Sequence, residues 1–468
     1  MKYILLLSVT ILSHFLSTAQ DFKILSQMPV SENTNIATLK VKRGEYEIGM
    51  LTNKAAMTKE QTISSSPVGL ALLGDDVILI GATDKNYKTT GYNATLFNKK
   101  SLAVLKEQNL YSKESSNRIS STLLKDANNN FGYMLFRETR YDEGFKMLGP
   151  SMYDTRYRES SSIALISLNN KLEPKNIAIK TEAVESFFAG ACSDDKRNIY
   201  ICSFTKTAMV IEKFDSTGKA IGKLSTPFSV WKNPELNFLM KNDRDNQGCI
   251  NISSCCLNEN KQKSHRVIRF DFTSNKVLTP GEIILNKDYL KSLTNTNAAA
   301  KGSHFAFPEG MVPVQILEDA GRIIVVKEIM DERAGSKGDA TTYYRDGSII
   351  SVYNKKTLTV ERDIVIDKGF ATFVEPSEGI YTRLLDNFLW VITCENSGLT
   401  SYKTYVSKVN LTTGEVVKTE IEKEDIGKGA VTFPKQTAWF KKEFVVPFTK
   451  VASPFSMSFE TELKQMTY

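Results

Sequence analysis

The sequence predicts an all-β protein, a β-propeller of four-stranded antiparallel blades, and three observations lead to this prediction. A short turn of the Asn/Asp-Lys-Thr-Gly type recurs seven times between strand-like segments, with 46 to 83 residues between successive copies, a spacing typical of propeller repeats. An acidic turn followed by a strongly apolar segment precedes each copy. Helical patterns are sparse, the best lying between Lys287 and Lys301. The seven turns open at Asn98, Asn169, Asp215, Asp271, Asn354, Asn410 and Glu460.

Each repeat contains two tight turns, which implies four strands in an antiparallel meander. The acidic turn joins the first strand to the second, as in Asp195 to Ile201, and the Asn/Asp-Lys turn joins the third to the fourth. Gly, Asn and Asp suit such turns because they tolerate positive φ or bond back to the local backbone. The second strand, as in Ile323 to Val326, is apolar on both faces, whereas later strands alternate, as in Ile211 to Asp215. This gradient from buried to half-exposed strands is typical of a propeller blade.

The turn count predicts seven blades, with six as the alternative because the last copy, at Glu460, is the weakest. The last blade would then lack a strand, and we expect the N-terminal segment to supply it, from Ile36 to Lys42 or from Tyr46 to Met50. Such closure pairs a strand edge that would otherwise promote aggregation. Residues 24–52 are therefore expected in the core rather than in a tail.

The first residues predict a cleaved secretory signal. A positive charge at Lys2 is followed by an apolar run from Tyr3 to Leu12 and by small residues before a cut after Ala19, which is the pattern of a signal peptide. No Cys lies near that cut to carry a lipid, and no later stretch approaches the ~18 apolar residues of a membrane span. We expect residues 1–19 to be removed and residues 20–468 to form a single propeller domain in the periplasm or outside the cell.

The charge balance excludes one class of partner. The chain has 60 Lys and Arg against 53 Asp and Glu, a net charge of +7, without the clustered basic runs that nucleic-acid binding requires. We expect a monomer without a membrane span.

The cysteines and histidines bear on disulfides and metals. Cys192 and Cys202 flank a turn, and this spacing is compatible both with a disulfide and with two buried thiols. Only His265 and His304 follow the signal and no Cys-x-x-Cys pair occurs, so no metal is expected. The sequence has no Walker loop or dinucleotide fingerprint, so no cofactor is expected either.

Two segments resemble a known blade signature. Asp195 to Tyr200 and Lys213 to Lys219 are similar to the blades of NHL-like and related bacterial envelope β-propellers. The resemblance lies in turn chemistry alone, so it implies a fold and carries no catalytic residue with it. The Ser-x-Asp-x-Gly-x-Thr-Trp box of sialidases and the Gly-His and Trp-Asp marks of WD40 blades are absent.

Two long insertions rich in Tyr and Arg are the first candidate binding surface. They run from Arg137 to Ser160 and from Asp331 to Gly347, both in connections that a propeller places on one face. We expect them on roughly opposite sides of the ring, in the second and fifth repeats. Aromatic rings stack on sugars or side chains while guanidinium groups bind carboxylates; the alternative interpretation is an ordinary solvated loop surface. The candidate residues are Arg137, Arg140, Tyr141, Tyr157, Arg333, Tyr344 and Arg345.

Two further connections between repeats contain candidate residues. His304 and Glu309 lie in Ser303 to Met311 and could form an acid/base pair. The alternative is a structural strand, because aromatic residues at a period of two are typical of one. Trp231 is a candidate for stacking on a ligand.

These observations predict a secreted, non-catalytic binding or scaffold protein that recognises a glycan or an envelope protein through the Tyr/Arg loops. No nucleophile elbow or zinc protease motif occurs. The alternative is a carbohydrate-active hydrolase or lyase whose acids and bases converge at the central opening from several blades, since propeller enzymes assemble sites across repeats.

Overall fold

The computed structural model describes residues 22–85, 88–112, 118–126, 128–141, 158–182, 187–205, 207–230, 238–258, 260–294, 311–333, 342–368, 371–372, 379–396, 402–421, 430–453 and 458–468. Within these ranges the chain forms eight antiparallel sheets, which follow one another as the blades of a propeller. None of the helices in these ranges is both long and apolar enough to cross a membrane.

Blades one to four are four-stranded sheets in which consecutive strands pair. Blade one contains β1 (Lys23–Ser31), β2 (Thr34–Lys42), β3 (Glu45–Thr52) and β4 (Met57–Ile63). Blade two contains β5 (Ser66–Leu73), β6 (Asp76–Lys85), β7 (Lys88–Phe97) and β8 (Val104–Ser112). Blade three contains β9 (Arg118–Lys125), β10 (Phe131–Tyr141), β11 (Arg158–Leu168) and β12 (Pro174–Glu182). Blade four contains β13 (Phe187–Ser193), β14 (Ile199–Phe204), β15 (Ala208–Phe214) and β16 (Ala220–Pro227).

Blades five to eight are more varied. Blade five contains β17 (Ser229–Val230), β18 (Phe238–Asn242), β19 (Cys249–Leu257), β20 (Lys263–Asp271), β21 (Lys276–Leu278) and β22 (Ile283–Ile284), and is followed by helix α1 (Lys287–Thr294). Blade six contains β23 (Met311–Glu318), β24 (Arg322–Arg333), β25 (Thr342–Asn354), β26 (Val360–Ile366) and β27 (Ala371–Thr372). Blade seven contains β28 (Ile380–Leu385), β29 (Phe388–Asn396), β30 (Tyr402–Asn410) and β31 (Val416–Ile421). Blade eight contains a 3₁₀ turn (Pro434–Gln436), β32 (Ala438–Trp439), β33 (Glu443–Ser453) and β34 (Ser458–Thr467).

The innermost elements of neighbouring blades touch one another all the way around. β1 contacts β5, and the contacts continue through β9, β13, β18 and β23 to β28. The 3₁₀ turn Pro434–Gln436 takes the innermost place in blade eight, where it contacts both β28 and β1. The blades therefore form a ring that closes between blade eight and blade one.

The prediction of seven blades, or of six, is wrong because the ring has eight. The blade that the turn pattern missed is blade one, whose β3–β4 turn has Ala55 in the left-handed region, at φ 55°, in place of the repeated signature. The copy at Glu460 is not a turn, because this residue lies inside β34. Counting turns cannot settle the number of blades, since sequences outside the repeated pattern also form a tight turn.

The predicted closure by an N-terminal strand is also wrong. The segments 36–42 and 46–50 pair with each other as β2 and β3 of blade one, and blade eight has three strands in its described part. The ring closes instead by the packing of two blade faces, with Gln27 Nε2 donating a hydrogen bond to the Gln436 carbonyl at 2.9 Å. The apolar side chains that meet at this closure are Phe22, Ile24, Ala37, Leu39, Leu51, Ala438, Phe440, Val445 and Leu463.

The Asn/Asp-Lys turns hold their shape through the first side chain. Asn98 Oδ1 accepts hydrogen bonds from the backbone N–H groups of Lys100 and Ser101, both at 3.0 Å. Asp215 Oδ1 accepts from the N–H of Thr217 at 2.9 Å. Each turn is thus an Asx turn, which is why the pattern recurs with Asn or Asp at its first position.

Apolar side chains of facing blades form most of the core. Between blades two and three, for example, Ile80 and Tyr92 pack with Met134 and Ile166. The interface between blades five and six differs, because charged and polar side chains are buried in it beside the apolar ones.

Candidate functional site

The two faces of the ring differ in what they carry. The acidic turns and the Asn/Asp-Lys turns lie on one face, here called the turn face. Because strands of a meander alternate in direction, the connections between second and third strands and between blades lie on the other face, here called the connection face.

A two-stranded ribbon extends from blade three on the connection face. In the described residues, β9 pairs with β10 as far as Thr139 and β12 pairs with β11 as far as Ser161. Arg140 and Tyr141 lie beyond that point, where β10 pairs with β11 alone. Residues 140–141 and 158–160 are called the blade-three ribbon below.

Blade six has a similar, longer ribbon. β23 pairs with β24 as far as Ile329, and β26 pairs with β25 as far as Ser348. Residues 330–333 and 342–346, called the blade-six ribbon, continue beyond these pairs, with β27 alone alongside β25. Blades three and six are three blades apart in a ring of eight, where opposite blades are four apart.

The structure places the candidate residues from the sequence in three groups. Arg137 is buried, with 3% of its surface exposed, and its guanidinium carbon lies 5.7 Å from the centre of the Phe188 ring in blade four. Five candidates have backbones in the two ribbons while their side chains lie outside what the structure describes: Arg140, Tyr141, Arg333, Tyr344 and Arg345. Four lie outside the described residues and stay predictions: Tyr157, Trp231, His304 and Glu309.

A polar recess of about 360 Å³ opens in blade two. Amide and hydroxyl residues line most of it, namely Thr83, Asn93, Gln108, Asn109 and Ser112. Its volume falls within the ~300–1,000 Å³ of small-molecule sites. No signal in the sequence pointed to this recess, because its residues come from three different strands, β6, β7 and β8.

Two β-bulges shape the recess. Thr90 is the extra residue where the pairing of β6 with β7 shifts, and Leu110 is the extra residue where β7 pairs with β8. Between them, a Cβ on Gly91 would come within 2.8 Å of the Tyr111 carbonyl oxygen. Bulges bend a strand and redirect its side chains, and glycine allows the close approach of the two backbones.

Tyr111 connects the wall of the recess to blade three. Its ring stacks on Phe136 with the ring centres 5.2 Å apart, and its hydroxyl donates a 3.4 Å hydrogen bond to Glu138 Oε2. Burial, together with the Glu138 carboxylate, raises the pKa of Tyr111 to about 12. The hydroxyl therefore stays protonated and serves as a donor at neutral pH.

A second constellation lies between blades five and six, centred on His265. Ser253 Oγ lies 2.8 Å from Nε2 of the imidazole and the Tyr353 hydroxyl lies 2.9 Å from Nδ1. All three side chains are buried, with His265 at 0% exposure. Burial and the nearby charge of Lys327 lower the pKa of His265 well below 6.5, so the imidazole is neutral at physiological pH.

Lys327 extends this buried polar layer. It is 0% exposed, its Nζ lies 5.8 Å from the centre of the Tyr289 ring of α1, and in the described part of the chain Nζ has no hydrogen-bond partner. Burial lowers the pKa of Lys327, while the neighbouring Asp363 opposes the shift. In the sequence, Lys327 directly follows an apolar run. Nothing in that local pattern predicts that it faces His265 from another blade.

Ion pairs join the same two blades near the turn face. Lys355 Nζ lies 2.9 Å from Asp243 Oδ1 and 2.6 Å from Asp245 Oδ2, while Arg269 Nη2 lies 3.2 Å from Asp243 Oδ2. Lys355, Asp243 and Arg269 are all buried. Removing one partner of a buried ion pair leaves an uncompensated charge, so the pairing of Lys355 with Asp243 couples blade six to blade five.

The cysteines carry free thiols, including Cys192 and Cys202. In the β13–β14 pair Cys192 lies opposite Tyr200 and Cys202 lies opposite Gly190, so the two thiols are not cross-strand neighbours. Across the described ranges, no group of three or more His, Cys, Asp or Glu side chains is arranged to hold a metal ion.

No family model and no curated protein matches the chain. The chain is similar in structure to the WD40 domain of SCAP from fission yeast, at 9% identity and a TM-score of 0.40 over 95% of this chain and 96% of that one. It is similar to the β-propeller domain of the Trilobed protease from Pyrococcus furiosus, at 12% identity and a TM-score of 0.40 over 86% and 96%. It is also similar to the BP39L lectin from Burkholderia pseudomallei, at 11% identity and a TM-score of 0.42 over 87% and 99%.

Proposed function

We propose that this chain is a non-catalytic β-propeller that binds a glycan or an envelope protein on its connection face. The observation that carries the proposal is the pair of two-stranded ribbons, which extend beyond the four-stranded sheets of blades three and six. The sequence places Arg140 and Tyr141 in the first ribbon and Tyr344 and Arg345 in the second. Arg and Tyr are the residue types that dominate binding hot spots.

The burial of the reactive groups supports a binding role over a catalytic one. Ser253 and His265 have the spacing of a nucleophile and a base, but both side chains are fully buried. A general base has to come within hydrogen-bond reach of its substrate. The His265 constellation serves the packing of blades five and six in this arrangement.

The predicted signal at residues 1–19 leads us to propose a location in the periplasm or outside the cell, as for the bacterial envelope propellers that the turns resemble. Fractionation of cells producing the full chain, with N-terminal sequencing of the product, tests this proposal. A product that begins at Gln20 and leaves the cytoplasm is expected. A full-length product retained in the cytoplasm contradicts it.

The binding proposal is tested by replacing Arg140, Tyr141, Tyr344 and Arg345 together with Ala. We expect the variant to lose capture of its partner from envelope extract while its melting temperature stays almost unchanged, because the changes lie beyond the four-stranded sheets. The matched control changes four exposed turn-face residues with the same loss of two positive charges: Lys100, Asn170, Ser216 and Lys356. Equal capture by both variants would remove the ribbons from consideration.

A further inference from the structure

We propose that the recess in blade two is a binding site for a neutral saccharide. The inference rests on the proposed binding function and deepens it, because it names a ligand class and a site apart from the ribbons.

The chemistry of the lining favours a polyhydroxylated ligand. Gln108 and Asn109 each offer both a carbonyl acceptor and an N–H₂ donor, and the Thr83 and Ser112 hydroxyls both donate and accept as well. A sugar hydroxyl donates one hydrogen bond and accepts others, so it matches such mixed groups. The lining offers few large apolar side chains, which sets the recess apart from the predominantly hydrophobic pockets of most small-molecule sites.

The charge of the recess favours a neutral ligand over an acidic one. Glu107 lines the recess and neither Lys nor Arg does. The lysine next to Glu107 on β8, Lys106, donates a 2.6 Å hydrogen bond to the Lys171 carbonyl of blade three. A carboxylate or sulfate on the ligand would therefore meet a like charge without a guanidinium or ammonium partner.

The recess is formed before any ligand arrives. The two bulges and the contact between Gly91 and the Tyr111 carbonyl set its shape in the backbone, and Tyr111 is held by Phe136 and Glu138. A site that needs no ordering loses less free energy on binding.

The test is calorimetric titration of the full mature chain with glucose, galactose, mannose, N-acetylglucosamine and their short oligosaccharides, against glucuronate. We expect at least one neutral sugar to bind with a Kd of about 1 mM or tighter, and glucuronate to bind at least about tenfold more weakly. Asn109→Ala and Gln108→Ala should each weaken the neutral sugar about tenfold, as for a lost hydrogen bond. Asn176→Ala is the matched control, because Asn176 is an exposed amide on the equivalent strand of blade three.

Each contrary outcome overturns the proposal. If none of the neutral sugars binds with saturation, the recess is not a saccharide site. If glucuronate binds as tightly as the neutral sugar, the site does not select a neutral ligand. If Asn176→Ala weakens sugar binding as much as Asn109→Ala does, the binding site does not lie in the recess. The ribbon variant separates this inference from the proposed function. If the ribbon variant still binds the sugar but no longer captures its partner from envelope extract, both the proposed function and this inference are supported. If Asn109→Ala also loses envelope capture, the recess in blade two is responsible for envelope binding as well as for sugar binding.

Discussion

At the scale of single residues, leucine takes a backbone conformation that usually belongs to glycine. Leu102, Leu172 and Leu358 end three of the Asn/Asp-Lys turns at φ 59°, 62° and 58°. Each is at most 1% exposed, and Leu172 packs in the core between blades two and three. Left-handed backbone costs an L-residue about 1–2 kcal/mol, so the burial of the leucine side chain has to exceed this cost.

Leu172 tests this balance. Leu172→Ala should lower the free energy of unfolding by about 2–5 kcal/mol, because it leaves a cavity and keeps the backbone strain. Leu172→Gly removes one more carbon but relieves the strain, so we expect it to be no more destabilising than the Ala variant, whereas Gly usually costs about 0.5–1 kcal/mol more in regular structure. Urea unfolding of both variants measures the difference. If the Gly variant is clearly less stable than the Ala variant, the backbone at position 172 is not strained.

His265 gives the stability a pH dependence whose sign follows from its burial. Its pKa in the folded protein lies well below the ordinary 6.5, so the unfolded chain binds more protons than the folded chain as the pH falls through 6.5. Stability is therefore retained above this pH and declines below it, with a slope that approaches about 1.4 kcal/mol per pH unit. The buried layer around His265 also contains three other titratable side chains, those of Lys327, Asp363 and Tyr353.

The measurement compares unfolding free energies between pH 7.5 and 5 in the wild type and in His265→Gln. Carboxylates elsewhere contribute to both proteins, so the difference in slope isolates His265. We expect the variant to be less stable at pH 7.5 and to have the shallower slope. Equal slopes in the wild type and in His265→Gln would show that His265 does not exclude its proton.

At the scale of elements, the turns follow from local sequence and the ribbons do not. The side chains of Asn98 and Asp215 bond to backbone groups two or three residues on, so contiguous residues contain all the information. The two insertions were evident in the sequence, but nothing local indicated that residues 140–141 and 342–346 continue as paired strands. Pairing depends on a partner strand whose position is decided by the whole blade.

The recess in blade two is also a property of its element. Thr83, Asn93 and Asn109 lie on three strands, and they meet because bulges at Thr90 and Leu110 shift the register by one residue in each strand pair. A shift of one residue turns a side chain to the other face of a sheet. A regular alternation of residues therefore cannot predict which side chains line such a recess.

At the scale of the whole molecule, the stability of the protein depends most directly on the closure of the ring. Deleting residues 20–63 removes blade one and uncovers the apolar face of blade eight, including Phe440, Val445 and Leu463. We expect loss of several kcal/mol from a total of about 5–15 kcal/mol, together with aggregation. Circular dichroism melting and size-exclusion chromatography measure both effects.

The control for this deletion is Glu32→Ala. Glu32 pairs with Lys441 of blade eight at 2.7 Å, but both side chains are more than half exposed, and such surface pairs contribute little. We expect its melting temperature to stay almost unchanged. A truncated protein that melts cooperatively at the temperature of the full mature chain would show that the contact between blades one and eight is dispensable.

The all-β class, the four-stranded meander seen in blades one to four and seven, and six of the turns follow from the sequence alone, because alternating strands and Asx turns depend on residues that are neighbours in the chain. The number of blades, the closure, the recess and the His265 layer were decided only by the tertiary structure. Blade one folds without the repeated turn because its strands find partners and a neighbouring face to cover. His265 and Tyr353 are 88 residues apart, and contacts between blades of this kind depend on how two complete sheets pack, which no local pattern contains.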